Sequence, residues 1–366
     1  MQDGVRNRAG VRPQGDGAAR CAAYLRDQTL RWSTRLSGRP VRVVLTDGDD
    51  PRVVEAARWL ALNTSVRPVL LSAQPGGDAS DDLPREVERW NTATLSTDDE
   101  LLEALRVRAN GKERDPEEAA RVAADDVYLG AALVATGRVQ ACVAGATRPT
   151  GDVIRAGLSV IGLAPEVSTV SSSFVLVLPD GRRLAYGDCA VLPTPDEHQL
   201  AQVAISTART YRQLVGEDPV VAMLSFSTMG SAQHPEVETV RAATRLAREQ
   251  QPTLCVDGEM QFDAAMLESV GNVKAAGSPV AGRANVLVFP NLAAGNIGYK
   301  ITERLAGAAA VGPILQGLDA PMNDLSRGCS SRDVVAVALL SAVQAVHAET
   351  ERSGRRQPVE PPAAGF

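Results

Sequence analysis

The sequence predicts an α/β protein of two domains, and three observations predict it. Short apolar runs alternate along the chain with longer amphipathic stretches, the pattern of strands joined by helices. The 366 residues exceed what one hydrophobic core usually organises. A hydrophobic fraction of 44% and a charged fraction of 22% are those of an ordinary globular chain.

The first structured unit reads as a βαβ element. Val41 to Leu45 is an apolar strand, Asp47-Gly48-Asp49-Asp50-Pro51 a turn, and Val53 to Leu62 an amphipathic helix. Pro51 suits a first helical turn, where the amide hydrogen it lacks would have no partner. A second strand, Arg67 to Leu71, leads into a loop at Gln74 to Asp78, and two strands joined through a helix imply a parallel sheet covered on both faces. From Asp98 the chain reads as a helix, a turn at Asn110-Gly111, and one longer helix from Asp115 to Thr136 before the strand Ala141 to Ala144. Further strands are expected at Phe174 to Leu178, Val220 to Leu224 and Val286 to Phe289, with helices Glu197 to Leu214 and Val237 to Glu249 between them. The last helix, Asp333 to Ala348, is apolar on most of its circumference and must be buried. Residues 1–20 and 351–366, rich in Arg, Gly, Pro and polar side chains, are expected to be disordered.

Several function classes are excluded at this level. Residues 1–20 hold no apolar segment suited to a signal or an anchor, and no run reaches the ~20 apolar residues of a spanning helix, so no membrane association is expected. Five cysteines, Cys21, Cys142, Cys189, Cys255 and Cys329, are odd in number and show no CxxC spacing. That argues against a disulfide framework or a zinc site and for a reducing, cytoplasmic location. A formal charge of −6 disfavours nucleic acid as a partner, so an anionic ligand would need local arginines. There is no Walker-type or GxGxxG loop for nucleotide chemistry, and no carboxylate cluster that would serve a metal-dependent oxidative decarboxylase.

Six peptides carry a more specific signal. They are Asp47-Gly48-Asp49-Asp50-Pro51-Arg52-Val53, Thr150-Gly151-Asp152-Val153-Ile154-Arg155, Ser278-Pro279-Val280-Ala281-Gly282-Arg283-Ala284, Ala294-Gly295-Asn296-Ile297-Gly298-Tyr299-Lys300, Gly312-Pro313-Ile314-Leu315-Gln316-Gly317 and Asn323-Asp324-Leu325-Ser326-Arg327-Gly328-Cys329-Ser330. In order and spacing the chain resembles the short form of the phosphate acetyltransferase (phosphotransacetylase) family over residues 40–348. The resemblance implies two α/β domains with a cleft between them, an isocitrate/isopropylmalate dehydrogenase-like architecture, and a homodimer. It places domain I at 21–158 plus 313–350 and domain II at 159–312. It implies reversible acetyl transfer between coenzyme A and inorganic phosphate in acetate metabolism, with coenzyme A and acetyl-CoA as substrates and no tightly bound cofactor. Three positions depart from the family pattern: Asp47 replaces a Glu, Arg148 replaces a His or small polar residue, and Ala156 replaces a Pro. Arg148 also resembles the related domains fused to malic enzymes, but the Ser326-Arg327 pair and Asp333 argue against that relation.

The chemistry needs a thiolate, yet a free thiol has a pKa of about 8.5. The resemblance makes Asp333 the base for the coenzyme A thiol. A carboxylate of ordinary strength is a poor match, so Asp333 would need burial in the cleft or exact placement. Ser330-Ser331-Arg332-Asp333 also fits a helix-capping box, and the two roles are compatible. By resemblance Arg327 stabilises the negative charge of the tetrahedral transition state, a task suited to a planar, permanently charged fork. Ser326 lacks a Gly-x-Ser-x-Gly elbow, and His198, His234 and His347 look peripheral, so Ser326 is read as an orienting hydrogen-bond donor and not a nucleophile. Direct transfer in a ternary complex follows. Arg155 and Arg106 are the candidates for phosphate and coenzyme A phosphates, with Arg108 open as a substitute for Arg106. Asn296, Tyr299 and Lys300, after the strand at 286–289, are expected to line the cleft. Cys329 is read as a small buried residue. Two alternatives stay open: a phosphate butyryltransferase, since one methylene is worth only about 1–3 kcal/mol to a pocket, and a non-catalytic ligand-sensing module of the same fold.

Overall fold

The computed structural model describes residues 31–36, 38–73 and 83–356. Cys21, the expected loop at 74–78 and the segments 1–20 and 357–366 lie outside the described residues.

Two sheets organise the chain. The first contains β1 (Val41–Leu45), β2 (Val66–Ser72), β3 (Glu88–Asn91), β4 (Ala141–Ala144) and, from the far end of the sequence, a strand at Met322–Asp324. The second contains β5 (Ser171–Val177), β6 (Arg183–Gly187), β7 (Val220–Leu224), β8 (Cys255–Met260), β9 (Val286–Val288) and β10 (Ala309–Gln316), which makes Met322–Asp324 β11. The first sheet runs β11-β4-β1-β2-β3 and every pairing in it is parallel. The second, β10-β5-β6-β9-β7-β8, is mixed: β5 pairs antiparallel with both β10 and β6, and the remaining pairings are parallel.

Both sheets bury both faces. Val41, Val43 and Leu45 face one apolar cluster and Val44 another, so β1 is covered on either side. The last helix, Ser331–Arg356, is the common wall. Val334, Leu339, Leu340 and Val343 are at most 1% exposed. They sit in one cluster with β1, with helix Pro51–Asn63, and with helix Glu197–Val215, which also packs on helix Pro235–Gln250 and on strands of the second sheet. Trp32 adds to this wall, donating from Nε1 to the carbonyl of Leu214 at 3.0 Å. By length and composition Ser331–Thr350 could cross a membrane, but here its apolar residues form the core between the sheets.

Three expectations change. The single helix from Asp115 to Thr136 is two, Pro116–Ala123 and Asp126–Ala135. The break lies at Asp125, whose carboxylate accepts from Val127 N at 2.9 Å and starts a new helix. The last helix continues six residues into the stretch expected to be disordered from 351, ending at Arg356; Arg352 anchors the extension on the carboxylate of Asp319 at 3.3 Å. The division at 312/313 falls inside β10, which is hydrogen-bonded along β5 on both sides of a register shift between Val311 and Ile314. The parallel sheet expected from the first βαβ unit is present as the first sheet.

The last helix should dominate stability. Leu340→Ala is expected to cost about 2–5 kcal/mol, because a cavity opens where relaxation is limited. The check is the urea midpoint of purified protein, and an unchanged midpoint would contradict the shared-core assignment.

Candidate active site

The carboxyl ends of β1, β4 and β11 lie side by side in the parallel sheet, so the loops that follow them share one rim. Such rims are where ligands bind in open α/β sheets. Each loop runs into a helix: Pro51–Asn63 after β1, Thr150–Ala156 after β4, and Ser331–Arg356 after β11. The first amides of a helix have no partner within the helix itself, a setting suited to anions.

Hydrogen bonds knit the loops together. Asp47 accepts from the amides of Ala146 at 3.2 Å and Thr147 at 3.0 Å, and from the Thr147 hydroxyl. Arg52 spans all three loops, bonding the Asp50 carboxylate, the Ala146 carbonyl, and the carbonyls of Arg327 and Cys329. At the end of β11, buried Asp324 accepts from the Thr150 hydroxyl at 2.5 Å, while its Oδ1 has no hydrogen-bond partner. That oxygen lies against Gly145, where a Cβ would collide with it and where φ is +100°, so both space and backbone require glycine. Burial pushes Asp324 up to about 7.

Ser326, Arg327 and Asp333 are brought together by the loop after β11 and the first turn of the helix it enters. Ser326 and Arg327 are exposed. The Arg327 guanidinium makes no hydrogen bond or ion pair among the described residues. The capping box is present: Asp333 Oδ2 accepts from Ser330 N at 2.8 Å and from its hydroxyl at 2.9 Å, and Asp333 N donates back to Ser330 Oγ at 3.3 Å. Asp333 is exposed, not buried. Its second oxygen remains free among the described residues. Cys329 is 7% exposed, and burial raises its thiol pKa, consistent with a packed residue.

The other candidates divide. Arg155 lies on the helix after β4, whose first residue is tied to Asp324; its guanidinium is two-thirds exposed and pairs with Asp152 at 2.8 Å. Arg106 pairs with Glu103 at 2.9 Å and Glu113 at 2.7 Å, while Arg108 takes both oxygens of Glu118. These local partners occupy both arginines, and no bond among the described residues links either to the 326–333 segment. Asn296, Tyr299 and Lys300 sit on helix Leu292–Leu305, packed on the second sheet. Tyr299 is half-buried and stacks on Phe174 of β5 with ring centroids 4.2 Å apart. Asn296 donates to the carbonyl of Cys189 at 3.0 Å. That fixes the 188–192 loop, whose Val191 packs against the cluster of the first sheet. Lys300 is exposed, 5.8 Å from the Tyr299 ring. His234 caps a helix by accepting from Glu236 N at 3.3 Å, remote in sequence and bonding from the rim. Among the described residues no group of three or more His, Cys, Asp or Glu is arranged to hold a metal ion. A cavity of about 380 Å³ lies at the opposite, amino-terminal end of β1 and β2, beside Arg39, Arg42 and Arg67.

Comparison with known proteins gives the family. A family model described as phosphate acetyl/butaryl transferase matches residues 30–342. The chain belongs to this family. It is 42% identical over 322 residues to a phosphate acetyltransferase of Staphylococcus epidermidis, covering 85% of this chain and 97% of that one. A phosphotransacetylase structure from Streptococcus pyogenes superposes with a TM-score of 0.80 at 37% identity, covering 88% of this chain and 99% of that one. One from Staphylococcus aureus does so with a TM-score of 0.76 at 39% identity, with the same coverage of 88% and 99%. The chain is therefore an acyltransferase with the two-sheet α/β fold of phosphotransacetylases.

Within this acyltransferase the three departures each have a local account. Asp47 is short, and its reach is matched by the 146–147 backbone coming to it. Arg148 pairs with Asp125 at 2.7 Å and Asp152 at 3.6 Å, joining two helix starts. Ala156 is fully buried where the helix passes into a π-turn at Gly157–Ile161.

Arg52 is the rim residue that sequence reasoning missed as functional, although it stands inside a quoted motif. Asp324 gives the test of rim electrostatics. Its folded pKa of about 7 lies above the ordinary 3.8, so the proton is held more tightly in the fold. The unfolded chain therefore gains by ionising first, and stability falls as pH rises from about 4 to about 7, then levels. A shift of this size is on the order of 4 kcal/mol. Asp324→Asn removes that slope. Melting temperatures of both proteins from pH 5 to 8 should converge at the acid end and separate towards pH 8, with the Asn variant higher; parallel curves would refute the buried proton.

Proposed function

We propose that the chain catalyses reversible transfer of an acetyl group between coenzyme A and inorganic phosphate, by direct attack in a ternary complex at the β1–β4–β11 rim. The observation that carries the reading is the free Arg327 guanidinium, exposed on a loop whose backbone is fixed from outside. Arg52, Arg148 and Arg155 are each paired with a carboxylate. An unpaired, permanently charged fork is what a phosphoryl group and a developing oxyanion require.

In the forward direction the coenzyme A sulfur attacks the carbonyl carbon of acetyl phosphate. The C–S bond forms, the carbon–oxygen bond to phosphate breaks, and phosphate leaves with that electron pair. The thiol proton passes to the free oxygen of Asp333. A carboxylate is several pK units too weak to ionise a resting thiol, so the proton moves as sulfur bonds to carbon and its acidity rises. Arg327 stabilises the charge on the carbonyl oxygen and the departing phosphate, and the Ser326 hydroxyl orients the same oxygens. Arg155 takes a phosphate of either substrate once its bond to Asp152 is exchanged.

We further infer that the two sheets correspond to two domains of the dehydrogenase-like architecture, with the substrate cleft between them and β10 counted with the second. The homodimer fits an apolar stripe on helix Leu292–Leu305, where Ile297, Ile301 and Leu305 recur every four residues at 58%, 52% and 78% exposure. Free Cys142, Cys189, Cys255 and Cys329 suit a cytoplasmic enzyme of acetate metabolism, recovered in the soluble fraction of lysed cells.

Acetyl phosphate and coenzyme A, mixed with purified protein without added nucleotide, should yield acetyl-CoA, and the rate should fall with propionyl and butyryl analogues. Arg327→Ala should lower turnover by several orders of magnitude with the fold intact, as one preorganised charge contact is typically worth ~3–4 kcal/mol. Near-normal turnover of that variant would end the assignment. For the dimer, Ile301→Glu should halve the mass seen by light scattering; an unchanged mass would move the interface elsewhere.

A further inference from the structure

We propose that Arg52 is a positioning residue for acetyl transfer: its guanidinium fixes the backbone of the Ser326–Cys329 loop, and through it the directions of Ser326 and Arg327, without touching substrate. The inference rests on the role given above to Arg327.

A guanidinium has five N–H donors, and here each has an acceptor. Nε donates to Asp50 Oδ1 at 3.0 Å and one Nη2 hydrogen to Asp50 Oδ2 at 2.7 Å. The other Nη2 hydrogen goes to the Ala146 carbonyl at 3.0 Å. Both hydrogens of Nη1 go to the catalytic loop, to Arg327 O and Cys329 O, each at 2.9 Å. The carboxylate of Asp50 holds the fork in plane and is itself the N-cap of helix Pro51–Asn63. Arg52 is thus braced by its own helix start before it reaches a loop 275 positions away.

That loop has little else to hold it. Leu325 and Cys329 are buried at its ends, while Ser326, Arg327 and Gly328 are exposed. Its internal bonds are Cys329 N to Ser326 O at 2.8 Å and Gly328 N to Ser326 Oγ at 3.3 Å. Among the described residues, the hydrogen bonds reaching residues 326–329 from outside the loop all come from Arg52. Its two carbonyl contacts flank Gly328, so they set the orientation of the peptide units 327–328 and 329–330, the first of which carries Arg327. A lysine brings one nitrogen with three hydrogens and cannot span acceptors on three segments.

The test uses the full-length enzyme, with kcat and KM measured for acetyl phosphate and coenzyme A in wild type, Arg52→Lys, Arg327→Ala and the double variant. A misplaced catalytic loop should lower kcat about ten- to a hundredfold in Arg52→Lys with KM changed less than about threefold. Because Arg52 acts through Arg327, the same change in the Arg327→Ala background should cost less than about threefold more. Turnover of Arg52→Lys within threefold of wild type overturns the proposal, as does a loss that appears only in KM or multiplies fully in both backgrounds. Arg52→Gln replaces the lysine variant if circular dichroism shows the latter unfolded. Wild type that forms no acetyl-CoA would refute the functional reading itself, whereas active wild type with indifferent Arg52 variants refutes this inference alone.

Discussion

One planar cation laid across three chain segments is the constraint on which the rim depends. Parallel pairing sets the ends of β1, β4 and β11 side by side, but it leaves their loops to find their own conformations. The guanidinium of Arg52 supplies the missing cross-links, because its five donors diverge in a fixed plane and meet acceptors from all three loops. Asp47 repeats the principle with opposite charge, collecting two amides and a hydroxyl from the loop after β4. With the backbone held by these two side chains, the residues assigned to chemistry are left with free functional groups: the fork of Arg327 and one oxygen of Asp333.

Legibility in the sequence followed locality. Strands β1, β2, β4 and β7 and the helices after β1 and before β7 were readable, since their apolar periodicity is self-contained. β5 was read from Phe174 onward, and its first three residues, Ser171-Ser172-Ser173, were not counted with it. All three serines are buried, because Gln316 and Asp188 supply partners for their hydroxyls. β11 is three residues long and two of them are polar, yet Asn323 is satisfied by Leu315 N, Ser341 and Gln344 from elements on either side. No local pattern announces such long-range satisfaction. The same reason divides the site. Ser326, Arg327 and Asp333 stand in one peptide and its helix start and were legible together, whereas the bonds of Arg52 to that peptide became visible only with the fold. Tyr299 stands inside a recognisable motif, and its stacking on Phe174 likewise became visible only with the fold.

An anion-binding rim crowded with carboxylates poses an electrostatic problem, since Asp47, Asp49, Asp50, Asp126 and Asp324 would repel phosphate. The structure resolves it residue by residue. Asp50 is held below the usual carboxylate range by its hydrogen bond to Arg52. Asp49 accepts from Ser72 Oγ at 2.6 Å and Ala73 N at 3.3 Å, so its charge is directed into β2. Asp126 and Asp324 take the opposite course: burial, reinforced by neighbouring acids, pushes them up to about 6 and about 7. At neutral pH about half of the Asp324 charge is therefore neutralised by a bound proton, and Asp47, Asp49 and Asp50 are committed to amides, hydroxyls and the Arg52 cation. Helix amino termini and Arg327 then set the sign of the potential where substrate arrives. The carboxylates act as struts of the rim, and under the proposed function a permanently charged arginine kept clear of them is the group left to receive phosphate.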